Sequence, residues 1–157
     1  MDNNERTALL ICAYNEEANI HYVLEQAKGL QRLGLIREFI VVDDGSTDKT
    51  ASIAKGSGAT VISLPKNMGK GGAFLQGLLY CKKSGLETVL AADADLVAGF
   101  TQKQAIFLLE ELCLDANGKK TLMAVYPQTE QHPYGGEKSK TTRCSGIRVV
   151  GTRTSAE

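Results

Sequence analysis

The sequence has little that would recruit a polyanion or cross a bilayer. Its eighteen Lys and Arg offset eighteen Asp and Glu, a formal net charge of zero, so no overall positive field draws it to nucleic acid. Nowhere do the roughly eighteen consecutive apolar residues of a membrane-spanning helix occur. The opening stretch MDNNERTALL lacks the basic-then-apolar order of a secretory leader. These absences lead us to expect a cytoplasmic protein with no nucleic-acid partner and no transmembrane span in this chain.

The residues of several familiar chemistries are also missing. Cys12, Cys81, Cys113 and Cys144 form no C-x-x-C pair, which leaves reduced, buried thiols as the expectation. Only two histidines occur, His21 and His132, and neither sits in an H-x-x-H or nucleophile–base arrangement, so a surface role is expected for each. There is no G-x-G-x-x-G. The segment NMGKGG at 67–72 lacks the first glycine of a P-loop and has Gly71 where that motif needs a hydroxyl.

What is present is an alternation. The 157 residues suffice for one domain that buries roughly two thirds of its unfolded surface. Residues 7–13, 39–42, 60–64, 89–92 and 121–125 are short apolar runs expected as strands. Between them lie stretches of helical period: Ile20, Val23, Leu24, Ala27 and Leu30; then Phe74, Leu75, Leu78 and Leu79; then Ile106, Leu109 and Leu112. The helix after the second strand is expected to be capped by Ser46 or Thr47. Strands apolar throughout, rather than at every second residue, indicate a mostly parallel sheet covered by helices on both faces, an α/β doubly wound layout. We place this core at 1–126. Residues 127–157 are polar and irregular, with at most one short strand at 146–150.

In such a sheet, ligands bind beyond the carboxyl ends of the strands. With strand order 3-2-1-4, the polar ends of strands one, two and four converge. After strand four, Asp93 and Asp95 lie at i and i+2 and address one side of the chain, with Ala94 leaving room between them. Two like charges so close repel each other, and a divalent ion relieves the repulsion; oxygen-only ligands suit Mg²⁺ or Mn²⁺ shared with substrate phosphates. An isolated D-x-D is more often a turn cap; its place after a buried strand favours the metal reading.

After strand one, Tyr14 offers a ring for stacking and Glu16 an acceptor for base or ribose, although Asn15 could cap a helix there. Asp44 can accept hydrogen bonds from base or ribose, whereas Asp43 reads equally well as a solvated neighbour, and DDG alone is often only a turn. Lys70, beside the free amides of a helix start, can meet a diphosphate, or be only an exposed lysine.

Taken together, LLICAYNEEANI, FIVVDDGSTDKT, NMGKGGAFLQG and VLAADADL resemble the nucleotide-binding half of family 2 glycosyltransferases with the GT-A, Rossmann-like fold, nearest to the dolichyl-phosphate mannose or glucose synthase branch. The resemblance implies inverting transfer of a sugar from a UDP- or GDP-sugar, with a divalent metal, to an acceptor such as a polyprenyl phosphate, and allows peripheral membrane contact. It implies that Tyr14 and Glu16 contact base and ribose, Val42 and Asp44 the base region, Lys70 the diphosphate, and Asp93, Ala94 and Asp95 the metal and sugar-diphosphate. No catalytic base is implied. Four departures stand out: Cys12 where the family usually has proline, Val97 where a Gln is frequent, no Gly-Ser-Arg segment after AVYPQT, and CSGIR at 144–148 soon after strand five in place of Ser-Gly-Phe-Arg. The acceptor side therefore reads as truncated, with donor binding better retained than turnover. The alternative is an impaired nucleotide-sugar-binding module or inactive paralogue. A sugar-1-phosphate nucleotidyltransferase is disfavoured because CAYNEEAN replaces its Gly-rich opening.

Overall fold

Four parallel strands form in the order that brings three acidic ends together. The computed structural model describes residues 3–95 and 148–151. Strands β1 (Thr7–Ala13), β2 (Glu38–Asp43), β3 (Thr60–Ser63) and β4 (Thr88–Asp93) alternate with helices α1 (Ile20–Arg32), α2 (Thr50–Gly56) and α3 (Gly69–Lys83). The sheet order is β3-β2-β1-β4-β5, where β5 (Arg148–Gly151) pairs antiparallel with β4. The strand expected at 146–150 thus forms two residues later than its expected start. The expected helix around Ile106, Leu109 and Leu112, the strand at 121–125 and the boundary at 126/127 lie outside the described residues, as do Val97, Cys113, His132 and Cys144.

The interiors of β1, β2 and β4 are apolar at successive positions because both faces are covered. Leu9, Ile11 and Ala13 of β1 are buried with the expected α1 face, Ile20, Val23, Leu24, Ala27 and Leu30, and with Ala54 of α2. Their alternating neighbours Ala8 and Leu10 are buried on the other face with Ile40, Val42, Ala73 and Cys81. A period-2 strand with one face solvated would have been half polar.

Helix α3 corrects one expectation. Its buried residues are Ala73, Gly77 and Cys81, while Leu75 and Leu79 are exposed and Phe74 and Leu78 only partly buried. The reason is close approach: a Cβ on Gly77 would lie 2.4 Å from Leu10 Cδ1. Small residues let the helix settle onto β1, and the larger side chains are turned outward or to the flanks.

The expected caps are corrected too. The N-cap of α1 is Asn19, not Asn15, and that of α2 is Lys49, neither with a side-chain cap bond. Asn15 has φ +53°, a conformation that asparagine tolerates better than most residues. Ser46, Thr47 and Asn15 instead tie the two loops to each other, as described next.

Candidate functional site

The loops after β1 and β2 are locked by reciprocal hydrogen bonds. The Asn15 N–H donates to Ser46 Oγ at 2.9 Å, and the Thr47 N–H donates to Asn15 Oδ1 at 2.9 Å. The Glu16 N–H donates to Thr50 Oγ1 at 2.8 Å, the Glu17 N–H to Asp48 Oδ2 at 3.1 Å, and the Lys49 N–H to Glu17 Oε2 at 3.0 Å. Burial pushes the Asp48 carboxyl up, but hydrogen bonds from Thr50 and Glu17 outweigh it and hold the group below its ordinary value. The lock satisfies backbone donors that the loops leave without ladder partners, and it fixes the chain on both sides of Tyr14 and Glu16.

A second tie joins the loop before α3 to the end of β2. Asp44 is 3% exposed; its N–H donates to the Ala13 carbonyl at 2.8 Å and its Oδ1 accepts the Met68 N–H at 2.7 Å. Asp43 is buried rather than solvated, and its Oδ1 accepts the Ser46 N–H. The Asn67 Oδ1 accepts the Gly69 N–H at 3.0 Å and opens the first turn of α3.

These loops surround a cavity of about 260 Å³ at the carboxyl ends of the strands. It is lined by Tyr14, Glu16, Asp44, Lys70, Asp93, Ala94 and Asp95, together with Cys12, Asn67 and others. Seven of the eight residues expected at the site are therefore brought together. Val42 is not among them: its side chain is fully buried in the core layer with Ala8, Leu10 and Ile40. At its position in β2 the period-2 alternation sends it under α3.

Among the described residues, four carboxylates line this cavity, those of Glu16, Asp44, Asp93 and Asp95, against one ammonium, Lys70. Glu16 accepts the Asn19 side-chain amide at 3.0 Å. Asp93 is half-buried and Asp95 exposed. The Lys70 Nζ lies 2.7 Å from Asp93 Oδ1. The Asp93 and Asp95 pair is an all-oxygen donor set of the kind hard divalent ions prefer, and the Lys70 ammonium already sits as a cation against it. Tyr14 is 46% exposed, which leaves its ring free to cover a planar group.

Sequence reasoning missed Cys12 and Asn67 as lining residues, and the whole loop lock. Burial pushes the Cys12 thiol up to about 11, with Asp93 adding to the effect and Lys70 opposing it. At neutral pH, with no metal beside it, the thiol is protonated. Alkylation of Cys12 by iodoacetamide at pH 8 is expected to run about 100-fold slower in the folded chain than in the unfolded chain, rising with pH up to about 11. The same raised value makes the thiol's contribution to stability complete below the unfolded-state value and lost as pH climbs through about 11. Peptide mapping after timed alkylation checks this, and equal rates in folded and unfolded protein would refute it.

Comparison with known proteins agrees with this layout. The model of glycosyl transferase family 2 matches residues 8–104. The human dolichyl-phosphate beta-glucosyltransferase is 36% identical over 104 residues, which cover 58% of this chain and 31% of that protein. The 4,4'-diaponeurosporenoate glycosyltransferase of Staphylococcus aureus is 33% identical over 131 residues, covering 80% of this chain and 32% of that protein. Among solved structures, glucosyl-3-phosphoglycerate synthase of Mycobacterium tuberculosis in complex with Mn²⁺, uridine diphosphate and phosphoglyceric acid has a TM-score of 0.53 and 34% identity, over 66% of this chain and 36% of that one. The chain spans about a third of the length of these relatives. Among the described residues no helix is long and apolar enough to cross a membrane.

Proposed function

The chain belongs to glycosyl transferase family 2, and from that premise we propose that its cleft binds a nucleotide diphosphate sugar for inverting transfer of the sugar to an acceptor. The observation that carries this reading is charge balance. A diphosphate entering a cavity whose described lining carries four carboxylates and one ammonium is repelled unless a cation joins the two. Asp93 and Asp95 would hold that cation, Mg²⁺ or Mn²⁺, in keeping with the Mn²⁺ and uridine diphosphate present in the mycobacterial neighbour. When bound, it supplies neutralisation of the charge that builds on the departing diphosphate.

This chain's own residues do the binding and orienting. Asp44, held by the Met68 N–H through one oxygen, offers its carboxylate to base or ribose donors, and Glu16 does the same from the opposite loop. The Tyr14 ring covers the base, and Lys70 faces the diphosphate. The small Ala94 leaves the approach to the sugar open. As in the sequence reading, the donor core is placed at 1–126 and the acceptor side at 127–157. A polyprenyl phosphate is the proposed acceptor, supported by the human relative named for dolichyl phosphate; such a lipid would bring the chain to a membrane surface.

Calorimetry with UDP and GDP, each with and without Mn²⁺, tests the donor reading. One nucleotide is expected to bind about tenfold or more tightly with the metal than without it, and no binding of either under Mn²⁺ removes the proposal. Transfer from a labelled donor onto a polyprenyl phosphate then separates an active enzyme from a module that only binds.

A further inference from the structure

Building on that donor-site reading, we propose that Lys70 is the resident counter-cation of Asp93 and that the diphosphate of an arriving nucleotide draws it away. Nucleotide and divalent ion would then bind as a coupled pair, each clearing the way for the other.

The geometry supplies the competition. Lys70 Nζ is 2.7 Å from Asp93 Oδ1, with the lysine side chain 63% exposed and the aspartate 28%. An ion seeking both carboxylates meets an ammonium already bonded to one oxygen of Asp93, and the two positive charges repel. Two of the other lining carboxylates are already engaged through one oxygen each: Asp44, 3% exposed, holds the Met68 N–H, and Glu16 holds the Asn19 amide. Without nucleotide, the displaced ammonium is left beside a dication, and the two like charges repel. A diphosphate changes both sides of the balance, because its oxygens accept the ammonium and also complete the ligand set of the ion. Lys70 lies on the first turn of α3, on a flexible four-carbon stem, so it can swing without moving the helix. By linkage, whatever factor the nucleotide adds to metal affinity, the metal adds to nucleotide affinity.

The test follows free Mn²⁺ by electron paramagnetic resonance as the full chain is added, with no nucleotide present. Lys70→Met is expected to bind Mn²⁺ about fivefold more tightly than wild type, a factor set by a half-exposed ion pair. UDP should then tighten Mn²⁺ binding less in the variant than in wild type, while Lys70→Arg keeps the wild-type pattern. Nucleotide-free Mn²⁺ affinity in Lys70→Met that equals or falls below wild type overturns the inference. If wild type still binds UDP with Mn²⁺ and Asp95→Asn does not, the donor reading survives that loss. If wild type binds neither UDP nor GDP with Mn²⁺, both fall together.

Discussion

Asp95→Asn is expected to weaken Mn²⁺-dependent UDP binding by about 100-fold, at the upper end of what disturbing a metal's surroundings costs, with almost no change in melting temperature. The physical basis is the separation of roles at the end of β4. Asp95 is exposed and, among the described residues, has no ion-pair partner within the cleft, so its removal takes little from the fold. Its charge matters when a cation must be held against two carboxylates at once. Asp93→Asn should lose metal-dependent binding to a similar degree but behave differently in metal-free solution. It releases Lys70 from its 2.7 Å partner and removes a negative charge beside the diphosphate, so metal-free UDP affinity should rise by a few fold, a change that Asp95→Asn reproduces only weakly because solvent screens it. Calorimetry on the two variants, with EDTA and with Mn²⁺, reads all four values. Retention of metal-dependent affinity in either variant would take that aspartate out of the cation site.

Much of this was legible in the sequence because burial on both faces leaves a strong local trace. The apolar runs at β1, β2 and β4 and the five-residue face of α1 needed no knowledge of their partners. Strand ends followed by Tyr14 and Glu16, by Asp44 and by Asp93 and Asp95 then located the cleft. What escaped is what distant segments decide together. Asn15 bonds to Thr47 rather than capping its own helix, and Asp48 receives the Glu17 N–H, because two loops thirty residues apart satisfy each other's donors. The buried face of α3 was misassigned for a related reason: hydrophobic spacing favours Leu75 and Leu79, whereas the contact with Leu10 demands Gly77. Val42 was carried over by resemblance, and the pleat of its own strand buries it. The pairing of Lys70 with Asp93 joins the start of one helix to the end of a strand, and no local pattern announces it.

The tie between loops also makes Gly45 a position where a single methyl group should do heavy damage. Gly45 has φ +74°, and a Cβ there would lie 2.7 Å from the carbonyl carbon of Lys66 and 2.8 Å from the Asn67 nitrogen. Those are backbone atoms with no rotamer to yield, so one of the two loops must move. Left-handed strain of about 1–2 kcal/mol adds to overpacking of about 1–3 kcal/mol, a large part of the stability of a small domain. Gly34 is the control: its φ of +68° carries the same strain, but nothing lies within 4 Å of its added Cβ. Gly45→Ala is therefore expected to lose clearly more stability in urea than Gly34→Ala. The displaced loop carries Asn67, Met68 and the start of α3, so the Met68 N–H leaves Asp44 and Lys70 shifts relative to Asp93. In the molecules still folded, UDP–Mn²⁺ affinity should fall by about tenfold or more, since displacements near 1 Å already cost that much in well-ordered sites. Gly34→Ala should leave it unchanged. Equal stability losses in the two variants would mean that the two loops are not held in contact as described.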